Sequence, residues 1–225
     1  MSKYLITPTL LNAYQYYIND EFQSPADSRA KFLKTLSKEK FEPTKDMQKG
    51  IDFENCIQLA CENKFRPQPK IISIVGCPHG DGGDVEYSET EYDDYSKMVL
   101  TLAKIVKGGL WQQVVKKQIN VGNDSFLLYG KCDVIKRDTI YDIKFTDNYE
   151  LGKFQDSSQH LIYLYCTNMP KFQYLISDGK DYWVEDYHNN LDVENKVKSK
   201  ISDLIGYLEN DLEAKRIFAD KWLFF

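Results

Sequence analysis

Two acids and a lysine stand where apolar residues belong. In GKCDVIKRDTIYDIKF, residues 130–145, two apolar runs flank the polar turn KRDT, and Asp133 and Asp142 each interrupt one of them. A symmetric hairpin about that turn pairs Ile135 with Ile140, Val134 with Tyr141 and Asp133 with Asp142. Side chains alternate between the faces of a strand, so Lys144 joins Asp142 on one face. Like charges directly opposed on antiparallel strands lie about 5 Å apart and destabilise the sheet. A divalent cation between the two carboxylates makes the arrangement reasonable, because a hard cation takes oxygen ligands.

The elements around this hairpin follow from periodicity and punctuation. TPTLLNAYQYYIND predicts a helix with Thr7 as N-cap and Pro8 as first helical residue. SPADSRAKFLKTLSK predicts a second helix, and TKDMQKGIDFENCIQLACENK a third with Met47, Ile51, Ile57 and Leu59 as apolar positions. A Gly-rich acidic loop, GCPHGDGGDVEYSE, leads to a helix over EYDDYSKMVLTLAKIVKGG that ends at a Gly pair. WQQVVKKQINV, SFLLYGKCDVI and TIYDIKF read as three successive strands. YELGKFQDSSQHLIYLYCTN reads as a helix, FQYLIS and DYWVEDYH as a hairpin, and the chain from about Leu191 as one long helix. This order predicts a single α+β (mixed α/β) domain over 1–225. Its parts are N-terminal helices over 1–64, a sheet core over 110–188 and a C-terminal helix over 190–225.

The 225 residues carry a net charge of −5, which argues against a protein coated in basic charge. The charge is uneven: residues 71–96 hold seven acids and no Lys or Arg, whereas residues 100–145 hold eight Lys or Arg against four acids. A basic cleft on an acidic protein fits this pattern. The five cysteines are scattered without CxxC or Cys/His metal spacing. A reducing, cytoplasmic compartment fits. Neither a signal-type apolar segment nor a membrane-length apolar run occurs, so no membrane partner is expected.

Asp133 followed by Asp142-Ile143-Lys144 is the pattern D…DxK on neighbouring strands. Four further features accompany it in order: TPTLLNAYQYYI at the start, Gly50 four residues before Glu54 in KGIDFENCI, Gly130 ahead of Asp133, and Gln159 and Tyr163 in QHLIY. Together they resemble the PD-(D/E)XK nuclease superfamily, in its RecB-like and lambda-type (phage-type) exonuclease branch. The resemblance covers residues 5–165. It implies a restriction-endonuclease-like core, a central mixed sheet flanked by helices. It implies a site in which Glu54, Asp133, Asp142 and the Ile143 carbonyl hold Mg2+ or Mn2+. Lys144 would hold or deprotonate the attacking water, with Gln159 and Tyr163 orienting the site. The activity implied is exonucleolytic hydrolysis of DNA phosphodiesters in recombination or repair, with a ring-forming homo-oligomer, a trimer, in the lambda-type relatives. Glu54 stands where RecB-type domains carry His. The four cysteines that hold an iron–sulfur cluster in some relatives are absent, and Cys166 has no partners, so no iron–sulfur cluster is expected.

Lys116, Lys117, Lys136 and Arg137 are candidate phosphate contacts. His79, His160 and His188 have no ligand spacing and read as structural or solvent-facing, and HGDGGD reads as a flexible acidic loop. Two rival functions remain open on the sequence: a structure- or sequence-specific endonuclease of the same fold, and a non-catalytic nucleic-acid-binding protein that kept the fold.

Overall fold

The computed structural model describes residues 4–19, 23–70 and 92–224. The Gly-rich acidic loop, with His79, lies outside the described residues. The helices open where their capping residues stand. Leu10 N–H donates to Thr7 Oγ1 at 3.2 Å, and Pro8 begins α1 (Pro8–Asn19). Ser24 caps α2 (Pro25–Leu36), Thr44 caps α3 (Lys45–Cys61) and Asp93 caps α4 (Asp94–Val106) through side-chain oxygens. Gly108, at φ +83°, lets the chain leave α4, a conformation that costs glycine least.

Among the described residues, six strands form one mixed sheet: β1 (Tyr4–Ile6), β2 (Leu110–Val121), β3 (Asp124–Lys136), β4 (Thr139–Phe145), β5 (Lys171–Ser177) and β6 (Tyr182–His188). The order is β1-β3-β4-β5-β6, with β2 paired to β3. β1 runs parallel to β3 and β4 parallel to β5, while the other pairs are antiparallel. α5 (Ser158–Thr167) connects β4 to β5, and α6 (Val193–Asn210) and α7 (Leu212–Lys221) close the chain.

β3 is the strand on which the architecture turns. β2 takes one edge of it from Asp124 to Ile135. The opposite edge is shared: β1 pairs with Phe126, Leu127 and Leu128, and β4 with Val134, Ile135 and Lys136. Among the described residues, 129–133 between them have no strand neighbour on that side. The core is divided accordingly. On one face, Phe53 and Ile57 of α3 and Val99, Leu102 and Val106 of α4 pack on Val134, Ile143 and Leu175. On the other, residues of α1, α2, α5, α6 and α7 pack with Cys132, Ile140, Phe172, Tyr174 and Ile176. Cys132 and Val134 thus serve opposite faces although they lie two residues apart. Regular alternation breaks at Asp133. Across the ladder, Gln112 has φ +55°, a rare conformation for a residue with a Cβ.

Three expectations need correction. On α3 the buried apolar residues are Phe53 and Ile57, whereas Met47, Ile51 and Leu59 are exposed. Residues 149–157 are turns, not helix, and α5 starts at the Ser157 cap. The C-terminal helix is two helices, because Asp211 leaves helical geometry (φ −118°, ψ 98°) and caps α7.

Candidate active site

The β3–β4 hairpin has the register expected from its sequence. Val134 pairs with Tyr141, Ile135 with Ile140 and Lys136 with Thr139 about a two-residue turn in which Arg137 has φ +55°. The ladder stops there, one step short of Asp133 and Asp142. Instead of a strand carbonyl, the Asp133 carboxylate receives the Ile143 N–H, at 2.9 Å from its Oδ2. Asp133 therefore acts as an in-plane substitute for the missing backbone acceptor. A strand residue's N–H and C=O project to the same side, so the Ile143 carbonyl also faces this open edge.

The other expected residues converge on the same place. Asp142 is fully buried (0 % exposed), and Gln159 Nε2 donates to its Oδ1 at 2.6 Å. Lys144 Nζ forms an ion pair with Asp142 Oδ2 and remains 27 % exposed. The ammonium also lies 5.6 Å from the centre of the Tyr174 ring. Asp142 Oδ2 receives no hydrogen bond of good geometry despite this contact. Glu54 enters from α3, where Phe53 anchors the helix in the core, and Gln112 donates to Glu54 Oε1. Tyr163 does not touch the acids through its hydroxyl; it donates to the Lys131 carbonyl at 2.9 Å. That carbonyl belongs to the stretch of β3 with no strand neighbour, so Tyr163 supplies the partner that a strand would. Gly130 makes this possible, since a Cβ there would collide with the Tyr163 ring.

The electrostatics point one way. Burial first, and Asp142 second, push the Glu54 carboxyl above its usual range. Burial and then Asp142 hold Asp133 well above it, against the lowering effect of Lys144. Burial raises Asp142 despite the adjacent Lys144, and its carboxyl is close enough to Asp133 for a hydrogen bond. For Lys144, burial lowers the pKa, but Asp142 and Asp133 outweigh it and the ammonium is held above its ordinary value. Burial thus raises all three carboxyls, Asp142 adds to the rise at Glu54 and Asp133, and one close ammonium, Lys144, opposes it. Among the described residues, no group of three His, Cys, Asp or Glu side chains stands placed to hold a metal ion. The donors nevertheless fit a hard divalent cation in type, since all are carboxylate or carbonyl oxygens.

The candidate phosphate contacts divide. Lys117 Nζ donates to the Tyr165 carbonyl at 2.9 Å and to Asn168 Oδ1 at 2.8 Å, over the Tyr165 ring, and so closes the end of α5. Lys136 donates to the Ile105 carbonyl near the end of α4. Lys116 and Arg137 are exposed. Lys131, Gln112 and Tyr129 were missed by sequence reasoning, and all three are polar or amphipathic residues within β2 or β3. Their signal was weak, because Gln112 and Lys131 look like ordinary solvated strand positions. His160 is buried, stacked on Tyr187 with ring centres 3.9 Å apart, and burial lowers its pKa to about 3. Cys166 lies on α5 and is a free thiol. Among the described residues no helix is long and apolar enough to cross a membrane.

The chain is thus an α+β protein whose polar centre lies in a split in one mixed sheet. No family model and no curated sequence matches it. Its fold is similar to that in the crystal structure of SSO0001, with a TM-score of 0.50 and 14 % identity over 92 % of this chain and 78 % of that one. At that identity the likeness concerns the fold.

Proposed function

We propose that this protein is a divalent-metal-dependent deoxyribonuclease, as the resemblance to the PD-(D/E)XK superfamily implies. The observation that carries the reading is the meeting of Glu54, Asp133 and Asp142, from α3, β3 and β4, around the Lys144 ammonium. Three carboxyls taken from water around one ammonium are costly for stability alone, because buried ionisable groups need compensating charge. Magnesium or manganese held by Glu54, Asp133, Asp142 and the Ile143 carbonyl would lower the pKa of a water and neutralise charge on the scissile phosphate.

The chain's own groups have distinct roles in this reading. Gln159 fixes the orientation of Asp142 through its 2.6 Å hydrogen bond. Gln112 does the same for Glu54. Lys144, held above its ordinary pKa, stays protonated at neutral pH. In this reading it orients the attacking water or takes up its proton, and offsets charge on the phosphate oxygens. Tyr163 is a positioning residue, fixing the β3 backbone two residues before Asp133.

The finer reading is an exonuclease. End-labelled linear duplex, single-stranded and closed-circular DNA are incubated with magnesium, with manganese and with chelator. Cleavage of linear but not closed-circular DNA, dependent on the ion and abolished by Asp142→Asn, is expected. Cleavage of closed circles indicates an endonuclease, and no ion-dependent cleavage of any substrate refutes the nuclease reading.

A further inference from the structure

A cleft of about 370 Å³ opens beside the acid cluster. Its walls are Thr9 at the start of α1, Tyr129, Gly130 and Lys131 on β3, and Gln159 and Tyr163 on α5. It lies at the stretch of β3 that has β2 on one edge and, among the described residues, no strand on the other. At Gly130 the Tyr163 ring packs directly on the strand backbone and forms that wall. Gln159 is common to the cleft and to the centre, because its amide holds Asp142. The cleft therefore runs directly into the group of carboxyls.

The surface at its mouth has a definite chemistry. Tyr129 sits across the ladder from Lys116, and Lys131 across from Val114. Tyr129 and Lys131 are two residues apart, so these four side chains share one face. Lys116, Lys131 and Val114 are exposed and the Tyr129 ring is 37 % exposed. Among the described residues, Tyr129 packs against no other aromatic ring, unlike Tyr17 and Tyr187, which stack on Phe32 and His160. Lys131 is also near enough to Glu54 to act on its charge. An exposed aromatic ring between two lysines matches a polyanion that carries flat rings.

Resting on the nuclease reading, we infer that this cleft is a subsite for a single nucleic-acid strand, with one base stacked on Tyr129 and an adjacent phosphate against Lys131. The strand then passes Gln159 to reach the carboxyls. A single strand is specified because base faces in a duplex are covered by their stacked neighbours, whereas an unpaired base presents its face to an aromatic side chain. The confined volume agrees, being suited to about one nucleotide rather than to a double helix.

The test uses a short fluorescein-labelled oligothymidylate and a labelled duplex of equal length, with binding followed by polarisation in chelator so that nothing is cut. The full chain should bind the single strand more tightly than the duplex. Tyr129→Ala should weaken single-strand binding roughly ten-fold, the scale of one base–aromatic stack, and Tyr129→Phe should restore it. Lys131→Ala should weaken binding and reduce the slope of log affinity against log salt by roughly one phosphate contact. Thermal melts of the variants should match the parent, since both side chains are at the surface. Equal affinity of Tyr129→Ala and parent, equal or tighter binding of duplex, or no binding of either probe overturns the inference. The two readings fail separately. Ion-dependent cleavage with an unaffected Tyr129→Ala removes the subsite and keeps the nuclease. Tyr129-dependent binding without cleavage under any ion removes the nuclease and keeps the subsite.

Discussion

Replacing Asp133 with asparagine takes one negative charge from the cluster and leaves a side-chain oxygen for the Ile143 N–H, now bonded at 2.9 Å. The charge is the interesting part. An ordinary aspartate ionises near pH 4, but in the folded protein Asp133 is held well above that, mainly by burial and then by Asp142. Between those two values the folded state binds more protons than the unfolded state. Stability without metal therefore falls as pH rises through that window and stays lowered at pH 7. Each unit of elevation corresponds to about 1.4 kcal/mol. Asp133→Asn should consequently be more stable than the parent at pH 7 in chelator, and the gain should vanish near pH 4. Added magnesium or manganese should reverse the ranking. At a hundred times its dissociation constant, an ion that binds only the folded state contributes about 2.7 kcal/mol. For 225 residues, at about 2–4 °C per kcal/mol, the parent's melting temperature should rise by about 5–11 °C. The variant should show only a small part of that rise. Scanning calorimetry with magnesium, manganese or sodium chloride at matched ionic strength measures both effects. If parent and Asp133→Asn respond equally to the ion, or neither responds, the acids do not form a metal site.

Lys144→Ala should lower single-turnover cleavage by about two orders of magnitude or more, with DNA affinity little changed, the usual loss for a group that stabilises transition-state charge. Gly130→Ala should displace the Tyr163 ring and cost about 1–3 kcal/mol in urea denaturation, as overpacking commonly does. Asp211→Ala should cost about 1–3 kcal/mol, since Asp211 caps α7 and accepts from Arg29 and Tyr207. Its carboxyl is held down to about 2, by the Ala214 N–H above all, so that contribution should disappear as pH falls toward 2. His160 acts in the opposite sense to the acids. Its pKa is lowered to about 3 by burial, so the unfolded state takes up its proton first, and stability should fall as pH drops from about 6.5 toward 3. Replacing His160 with Phe should flatten that slope in pH-dependent melts.

The hairpin around Asp133 was legible because its information is local. The turn KRDT and the alternation of Val134, Ile135, Ile140 and Tyr141 fix the register without reference to the rest of the chain. Helix starts were equally readable at Thr7, Ser24 and Thr44, where the cap is a short-range hydrogen bond. The misreadings have distant causes. Residues 149–157 carry apolar residues at helical spacing, but the Tyr149 hydroxyl and the Gly152 N–H both donate to Glu185 on β6, which fastens the segment as a loop. The break at Asp211 is tied by Arg29 of α2. Tyr4–Ile6 pairs with β3 across more than a hundred residues, which no local pattern announces. Lys117 and Lys136 looked free for phosphate because the carbonyls they bind come from α5 and α4. The acids themselves were readable as anomalies; that Asp133 would fill a gap in the sheet was not.

That gap explains why chemistry and architecture coincide here. In a continuous sheet, the edge of β3 opposite β2 would be closed by backbone, with no room for a carboxylate in the plane. Dividing that edge between β1 and β4 leaves buried polar groups that must find other partners. Tyr163 satisfies the Lys131 carbonyl, and Asp133 satisfies the Ile143 N–H. Each solution brings a polar side chain into the interior, and Gln159 and Lys144 then gather on Asp142. The residues differ in how far the fold depends on them. Tyr163 completes the strand's hydrogen bonding, so Tyr163→Phe should lower stability as well as any activity. Lys144 contributes charge to a cluster whose backbone bonds are made without it, so its loss should fall mainly on turnover. Comparable loss of melting temperature in Lys144→Ala and Tyr163→Phe would contradict this division.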